Sequence, residues 1–233
     1  MSSAVAKPIS IAVSDIVRVS GLLQTPEQPR ACYVFAHGAG AGMDHPFMVK
    51  AARELALRGV ATLRYQFPYM ERRARRPDPP QLAQATVRAA AAAALDLLPK
   101  LPIVAGGKSF GGRMTSQAQA ITPLQGVCGL AFLGFPLHPA GRPSQDRAEH
   151  LFNVKIPMLF LQGTRDSMAS LDQLEPVCKM LGQGTTLKLF ADADHSFHVP
   201  ARTGRTDAQV LGDTLDAFVA WLDGVIIRSQ KKR

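Results

Sequence analysis

Gly107-Lys108-Ser109-Phe110-Gly111 is the stretch of this sequence whose residue types and spacing point most directly to chemistry. It follows a short apolar run and precedes residues at helical spacing, the setting in which a G-x-S-x-G turn lifts a serine hydroxyl above the end of a strand. Glycines on either side let strand and helix approach closely, and Gly112 adds further room. Serine alone is a weak nucleophile, so a base and a group that orients the base must follow, in the chain order serine, acid, histidine. Gly163-Thr164-Arg165-Asp166 follows one apolar run and brings a carboxylate; Asp192-Ala193-Asp194-His195-Ser196-Phe197 follows the last and brings an imidazole. Ser109 is therefore the candidate nucleophile, His195 its base and Asp166 the acid that orients the base. Asp172 and Asp194 stand as alternative acids and His198 as the alternative base. A single aspartate in a loop is more often a turn former; the order of the three groups is what favours chemistry here.

Acyl transfer also needs two donors for a tetrahedral oxyanion. The residue after the nucleophile offers one, the N–H of Phe110. The side-chain-poor loop Ala36-His37-Gly38-Ala39-Gly40-Ala41-Gly42 offers the other, the N–H of Ala39. His37 has no partner visible in the sequence and reads as a structural hydrogen bond that shapes this loop. Two rival motifs fail on spacing. A phosphate-binding P-loop ending at Gly107-Lys108-Ser109 needs glycine where Pro102 stands, and a dinucleotide fingerprint begun at Gly38 or Gly40 needs glycine at Met43 or His45. No cofactor is called for, and Cys32, Cys128 and Cys178 read as buried thiols without the spacing of a metal site or a disulfide framework.

The elements that must position these residues alternate between β-rich runs and helical stretches. Strands are expected at Ile9–Val13, Ile16–Gln24, Ala31–Ala36, Val60–Tyr65, Ile103–Gly106, Val127–Leu133, Ile156–Gln162 and Leu187–Phe190. Helices are expected at Pro46–Leu57, Gln81–Leu98, Gly111–Ala120, Leu171–Leu181 and Ala208–Ile227, with Gln66–Pro80 as a loop. Such alternation implies a mostly parallel, doubly wound α/β sheet, whose ligands bind at the carboxyl ends of the strands. The turn at Ser14-Asp15 is too short for a crossover, so the first two strands must be an antiparallel addition. The connection Gly134–Lys155 has room for at most one short helix, near Gln145–Phe152; no lid fits, and a shallow, water-accessible cleft is expected.

At 233 residues, with 46% hydrophobic and 19% charged, the chain suits one globular domain spanning residues 1–233. Met1–Pro8 carries no signal-like apolar stretch and no later run approaches the roughly 20 residues that span a bilayer. A cytoplasmic protein without membrane partners is expected. The formal charge of +9 gathers partly in Arg72, Arg73, Arg75 and Arg76 and partly in Arg228, Lys231, Lys232 and Arg233. Without aromatic interleaving or a nucleic-acid-binding signature, solvated charge outweighs nucleic acid as their explanation. The arginine loop follows a strand, however, and could form a basic rim that draws acidic substrates.

Several motifs together resemble a known family. These are the HGAGAG loop, Phe67-Pro68-Tyr69-Met70-Glu71, Gly106-Gly107-Lys108-Ser109-Phe110-Gly111-Gly112-Arg113, Gly134-Phe135-Pro136-Leu137-His138-Pro139, Gln162 to Asp166 and Asp194 to Phe197. They are similar to the small α/β-hydrolases related to dienelactone hydrolase, and among these to bacterial proteins similar to the testis-expressed and NSL-complex hydrolase-like group. The resemblance runs from about Ile16 to the closing helix. It implies an α/β-hydrolase fold and a triad of Ser109, Asp166 and His195. It does not imply lactone chemistry, since dienelactone hydrolase has a cysteine nucleophile where Ser109 stands. The expectation is a serine hydrolase, of carboxylesterase type, that performs two-step acyl transfer on a small ester or thioester. The alternatives are a catalytically idle hydrolase-like interaction module and, remotely, a basic nucleic-acid-binding protein. Oligomeric state is left open.

Overall fold

The computed structural model describes residues 5–230, so Lys231, Lys232 and Arg233 of the basic tail lie outside the described residues. In chain order the elements are β1 (Ala6–Ala12), β2 (Arg18–Gln24), β3 (Ala31–Ala36), α1 (Pro46–Leu57), β4 (Val60–Tyr65), α2 (Pro68–Glu71), α3 (Pro80–Leu97), β5 (Ile103–Lys108), α4 (Phe110–Ile121), β6 (Val127–Leu133), β7 (Met158–Gly163), α5 (Leu171–Leu181), β8 (Thr185–Phe190) and α6 (Asp207–Gln230). One sheet results, in the order β1-β2-β4-β3-β5-β6-β7-β8. β1 pairs antiparallel with β2, and β2 antiparallel with β4; every later pairing is parallel.

Alternation along the strands explains the two layers of helices. On β3, Cys32, Val34 and Ala36 enter one apolar cluster with Ala83, Val87 and Ala90 of α3 and Met114 of α4. Ala31, Tyr33 and Phe35 enter the other, with Met48 and Leu55 of α1 and Leu215, Phe218 and Trp221 of α6. Both faces of the strand are covered, which is why it reads as an unbroken apolar run. Alanines at the buried positions of α3 bring its backbone close to the sheet. Among the described residues no helix is long and apolar enough to cross a membrane.

Several expected boundaries shift. β5 does not stop at Gly106 but continues through Gly107 to Lys108, because these glycines pair with Ala131 of β6 and Ala36 of β3 where neighbouring backbone leaves no room for a side chain. The stretch read as a loop from Gln66 to Pro80 contains the single helical turn α2. The short helix expected near Gln145–Phe152 is a 3₁₀ segment, Asp146–Asn153, which buries Ala148 and Leu151 and is the one helical piece between β6 and β7. Cys32 and Cys178 are buried thiols, but Cys128 is half-buried against the α6 face, its Sγ donating to the carbonyl of Ile103 at 3.2 Å.

Candidate active site

Ser109 is the single residue between β5 and α4, and its backbone is strained, with φ 49° and ψ −117°. Such a conformation costs on the order of 1–3 kcal/mol and persists only where its surroundings impose it. Here they do. The Ser109 N–H donates to the carbonyl of Leu133 on β6 at 3.2 Å, and its own carbonyl accepts from Arg113 at 3.1 Å to begin α4. A Cβ at Gly111 would lie 2.6 Å from the carbonyl oxygens of both Ala36 and His37. The helix can therefore approach β3 closely enough to close the turn only if that residue is glycine.

The loops after β7 and β8 bring Asp166 and His195 to the same edge. His195 Nε2 lies 2.8 Å from Ser109 Oγ, and His195 Nδ1 lies 2.7 Å from Asp166 Oδ2. The Asp166 side chain is fully buried. It also accepts from the Gln162 side-chain amide and from the backbone N–H of Met168 at 2.8 Å. A carboxylate held on three sides is an acceptor, so it favours the tautomer with the proton on Nδ1 and leaves Nε2 free to accept the serine proton. The alternative residues are placed otherwise. Asp194 accepts the backbone N–H groups of Ser196 and His198 and serves as a turn former. Asp172 is exposed at the start of α5 and bonds Gln173, while His198 Nδ1 pairs with Asp207 at 2.6 Å.

The loop after β3 is braced from the far side of the site. The Gly40 N–H donates to Tyr69 Oη at 2.8 Å and the Met43 N–H to Gln66 Oε1 at 2.9 Å. Tyr69 is in turn held through its own N–H by Asp78. Among the described residues the N–H groups of Ala39 and Phe110 are left without a hydrogen-bond partner. His37 is buried, accepts from the Phe67 N–H at Nε2 (3.2 Å) and meets the Gly38 carbonyl with Nδ1 at 2.7 Å, so its role here is to shape the loop.

Burial pushes the His37 imidazole from its ordinary 6.5 down to about 4, and burial together with the charge of Arg113 does the same to His150. Both groups take up a proton more readily in the unfolded chain than in the folded one, so stability is expected to fall as pH drops from about 6.5 to about 4. For fully buried His37 the loss reaches up to about 3 kcal/mol. Melting temperature against pH measures it. His37→Gln should flatten the curve across that window, and an unchanged slope in the variant would remove His37 as its cause.

A family model described as an alpha/beta hydrolase domain matches residues 29–223. The chain belongs to the α/β-hydrolase family. Solved structures with similar folds include a dienelactone hydrolase from Anabaena variabilis, at 22% identity and TM-score 0.73, covering 93% of this chain and 99% of that one. Another is an α/β serine hydrolase without lid from Xanthomonas campestris, at 21% identity and TM-score 0.71, covering 93% and 95%. A third is an α/β serine hydrolase homologue from Coxiella burnetii, at 16% identity and TM-score 0.71, covering 91% and 99%.

In this α/β-hydrolase a cleft of about 660 Å³ opens beside Ser109 and His195. Its apolar wall includes Phe47, Met48, Phe197 and Leu211, and its polar rim includes His45, Lys50, Ser196 and His198. The arginine loop does not reach it. Arg72 turns instead to the buried carboxylate of Asp78 at 2.7 Å, and Arg73, Arg75 and Arg76 are exposed, so that loop lends the cleft no basic rim. Sequence reasoning missed two supports: Gln162 on Asp166 and Tyr69 on the Gly40 amide. The signal for Gln162 was a lone polar residue at the end of an apolar strand.

Proposed function

We propose that this chain, acting as a single α/β-hydrolase domain, is a serine hydrolase that performs two-step acyl transfer on a small ester or thioester. The observation that carries the reading is the unbroken relay from Ser109 Oγ through His195 to buried Asp166, at 2.8 and 2.7 Å, at the mouth of a cleft. His195 takes the Ser109 proton as Oγ attacks the carbonyl carbon. The oxyanion formed is received by the free N–H groups of Ala39 and Phe110, each donor of this kind contributing on the order of 10²–10³-fold in rate. Collapse expels the alcohol or thiol with the proton from His195. Water then attacks the acyl-serine, with His195 again as base, and the acid leaves.

A fluorophosphonate probe followed by peptide mass spectrometry tests the assignment: a single adduct on Ser109 is expected, and no adduct, or one elsewhere, would overturn it in favour of a catalytically idle module. The cleft wall changes from apolar to polar at Lys50, Ser196 and His198, and among the described residues no lid extends it. Each acyl methylene gains about 0.8 kcal/mol only while it lies against the apolar wall formed by Phe47, Met48, Phe197 and Leu211. On a series of 4-nitrophenyl esters, kcat/KM is accordingly expected to peak at acyl chains of about two to six carbons and to fall at ten or more. A steady rise to long chains, measured below their micellar concentrations, would contradict this picture of the cleft.

A further inference from the structure

Lys108 directly precedes Ser109, and its side chain lines the same cleft. Its Nζ donates to the backbone carbonyl of His195 at 2.6 Å and lies 5.9 Å and 6.0 Å from the ring centroids of Phe47 and Phe197. We propose that Lys108 is a positioning residue whose ammonium ties the backbone of His195 to the nucleophile turn. Asp166 orients the imidazole ring from its Nδ1 side, whereas Lys108 holds the main chain that carries the ring. The base is thus fixed to the nucleophile's own strand by a contact independent of the acid. This assignment rests on reading Ser109 as the nucleophile.

The environment around Nζ favours a charged tie over a neutral one. A cation between two aromatic faces is attracted to both, and a charged donor bonds a carbonyl more strongly than a neutral amine. Asp166, in the loop after β7, and Asp194, in the loop after β8, attract it electrostatically, yet among the described residues neither forms a direct ion pair with it. The other titratable groups on the cleft are His195 itself, His45 and Lys50 from the α1 side, and the His198–Asp207 pair at the start of α6. Gly134 leaves the space open, for a Cβ there would stand 3.1 Å from Nζ and 3.2 Å from the His195 carbonyl oxygen. Burial pulls the Lys108 pKa down to about 8 against the opposing pull of Asp166 and then Asp194. Above that pH the ammonium becomes an amine, losing charge assistance and its attraction to the rings.

The experiment measures the rate of fluorophosphonate labelling of Ser109 from pH 6 to 10 in the full chain, for wild type, Lys108→Met and Lys108→Arg, with folding checked by circular dichroism. At pH 7.5, Lys108→Met should label roughly 10–100-fold more slowly, and its KM for an acetyl ester should stay within about threefold of wild type. The wild-type rate should decline above about pH 8, and Lys108→Arg, which stays charged, should lose that decline. A folded Lys108→Met that labels at the wild-type rate overturns the proposal. If Lys108→Met does not fold, the pH comparison decides: an alkaline decline shared by wild type and Lys108→Arg, or absent from both, overturns it equally. A wild-type chain that takes no label at any pH removes the acyl-transfer reading itself and this one with it, an outcome distinct from the other two.

Discussion

Ser109→Ala and His195→Ala should each lower kcat by at least about 10³-fold, and the double variant should lose little more. The expectation follows from the relay acting as one unit. Without the hydroxyl, His195 has no proton to accept; without the imidazole, Ser109 keeps a proton that nothing within reach can take. Once either is gone, removing the other deletes nothing further, and the remaining rate comes from the N–H groups of Ala39 and Phe110 and from binding alone. Asp166→Asn should cost less than either, because it disturbs the tautomer and orientation of His195 rather than the transferred proton. Single-turnover kinetics on an activated ester provides the measurement. If the two single losses multiply in the double variant, the groups work independently and the relay is not the catalytic device.

Gly106→Ala should be among the most damaging single substitutions for stability, at about 4 kcal/mol or more. A Cβ at this position would lie 1.8 Å from the carbonyl oxygen of Ala131 and 3.0 Å from Tyr33 Oη, and the backbone φ of 155° is itself rarely adopted by residues with side chains. The clash is with backbone in the neighbouring strand, and Ala131 O is also the acceptor of the buried Tyr33 hydroxyl at 2.8 Å. Neither can move without opening the pairing of β5 with β6. For a chain of this size each kcal/mol shifts melting by roughly 2–4 °C, so a loss of on the order of 10 °C is expected, or failure to fold. Gly184→Ala is the control, since a Cβ there meets nothing and its φ is ordinary. Equal melting temperatures for the two variants would contradict the clash.

Much of this was legible in the residues themselves. The order of Ser109, Asp166 and His195, each just past an apolar run, follows from a rule about strand ends, and it led to groups that meet within hydrogen-bond distance. Alternation of element types likewise pointed to the parallel sheet, and the short turn at Ser14-Asp15 to its antiparallel start. What stayed hidden depends on tertiary contact. Strand periodicity breaks at Gly107, so nothing in the local pattern says that β5 continues past Gly106 to Lys108. Tyr69 and Asp78 sit in a proline-rich stretch that looks like loop, and their purpose appears only when the Gly40 amide is seen to need an acceptor. Arg72 looked like part of a basic rim because the buried carboxylate that claims it stands six residues away, in no recognisable pattern.

The proposed relay, Ser109, Asp166 and His195, stands at the ends of β5, β7 and β8, whereas Pro46, Lys50 and Leu211 on the cleft wall belong to α1 and α6. Part of the molecular fit is therefore encoded apart from the proposed reacting groups, in α1 and α6, while Phe197 and His198 share a loop with His195. Drift in the two helices can change which compounds enter without disturbing the strained turn at Ser109. Laboratory evolution towards a new substrate should for the same reason begin with saturation libraries at Lys50 and Leu211, and leave residues 106–112 untouched.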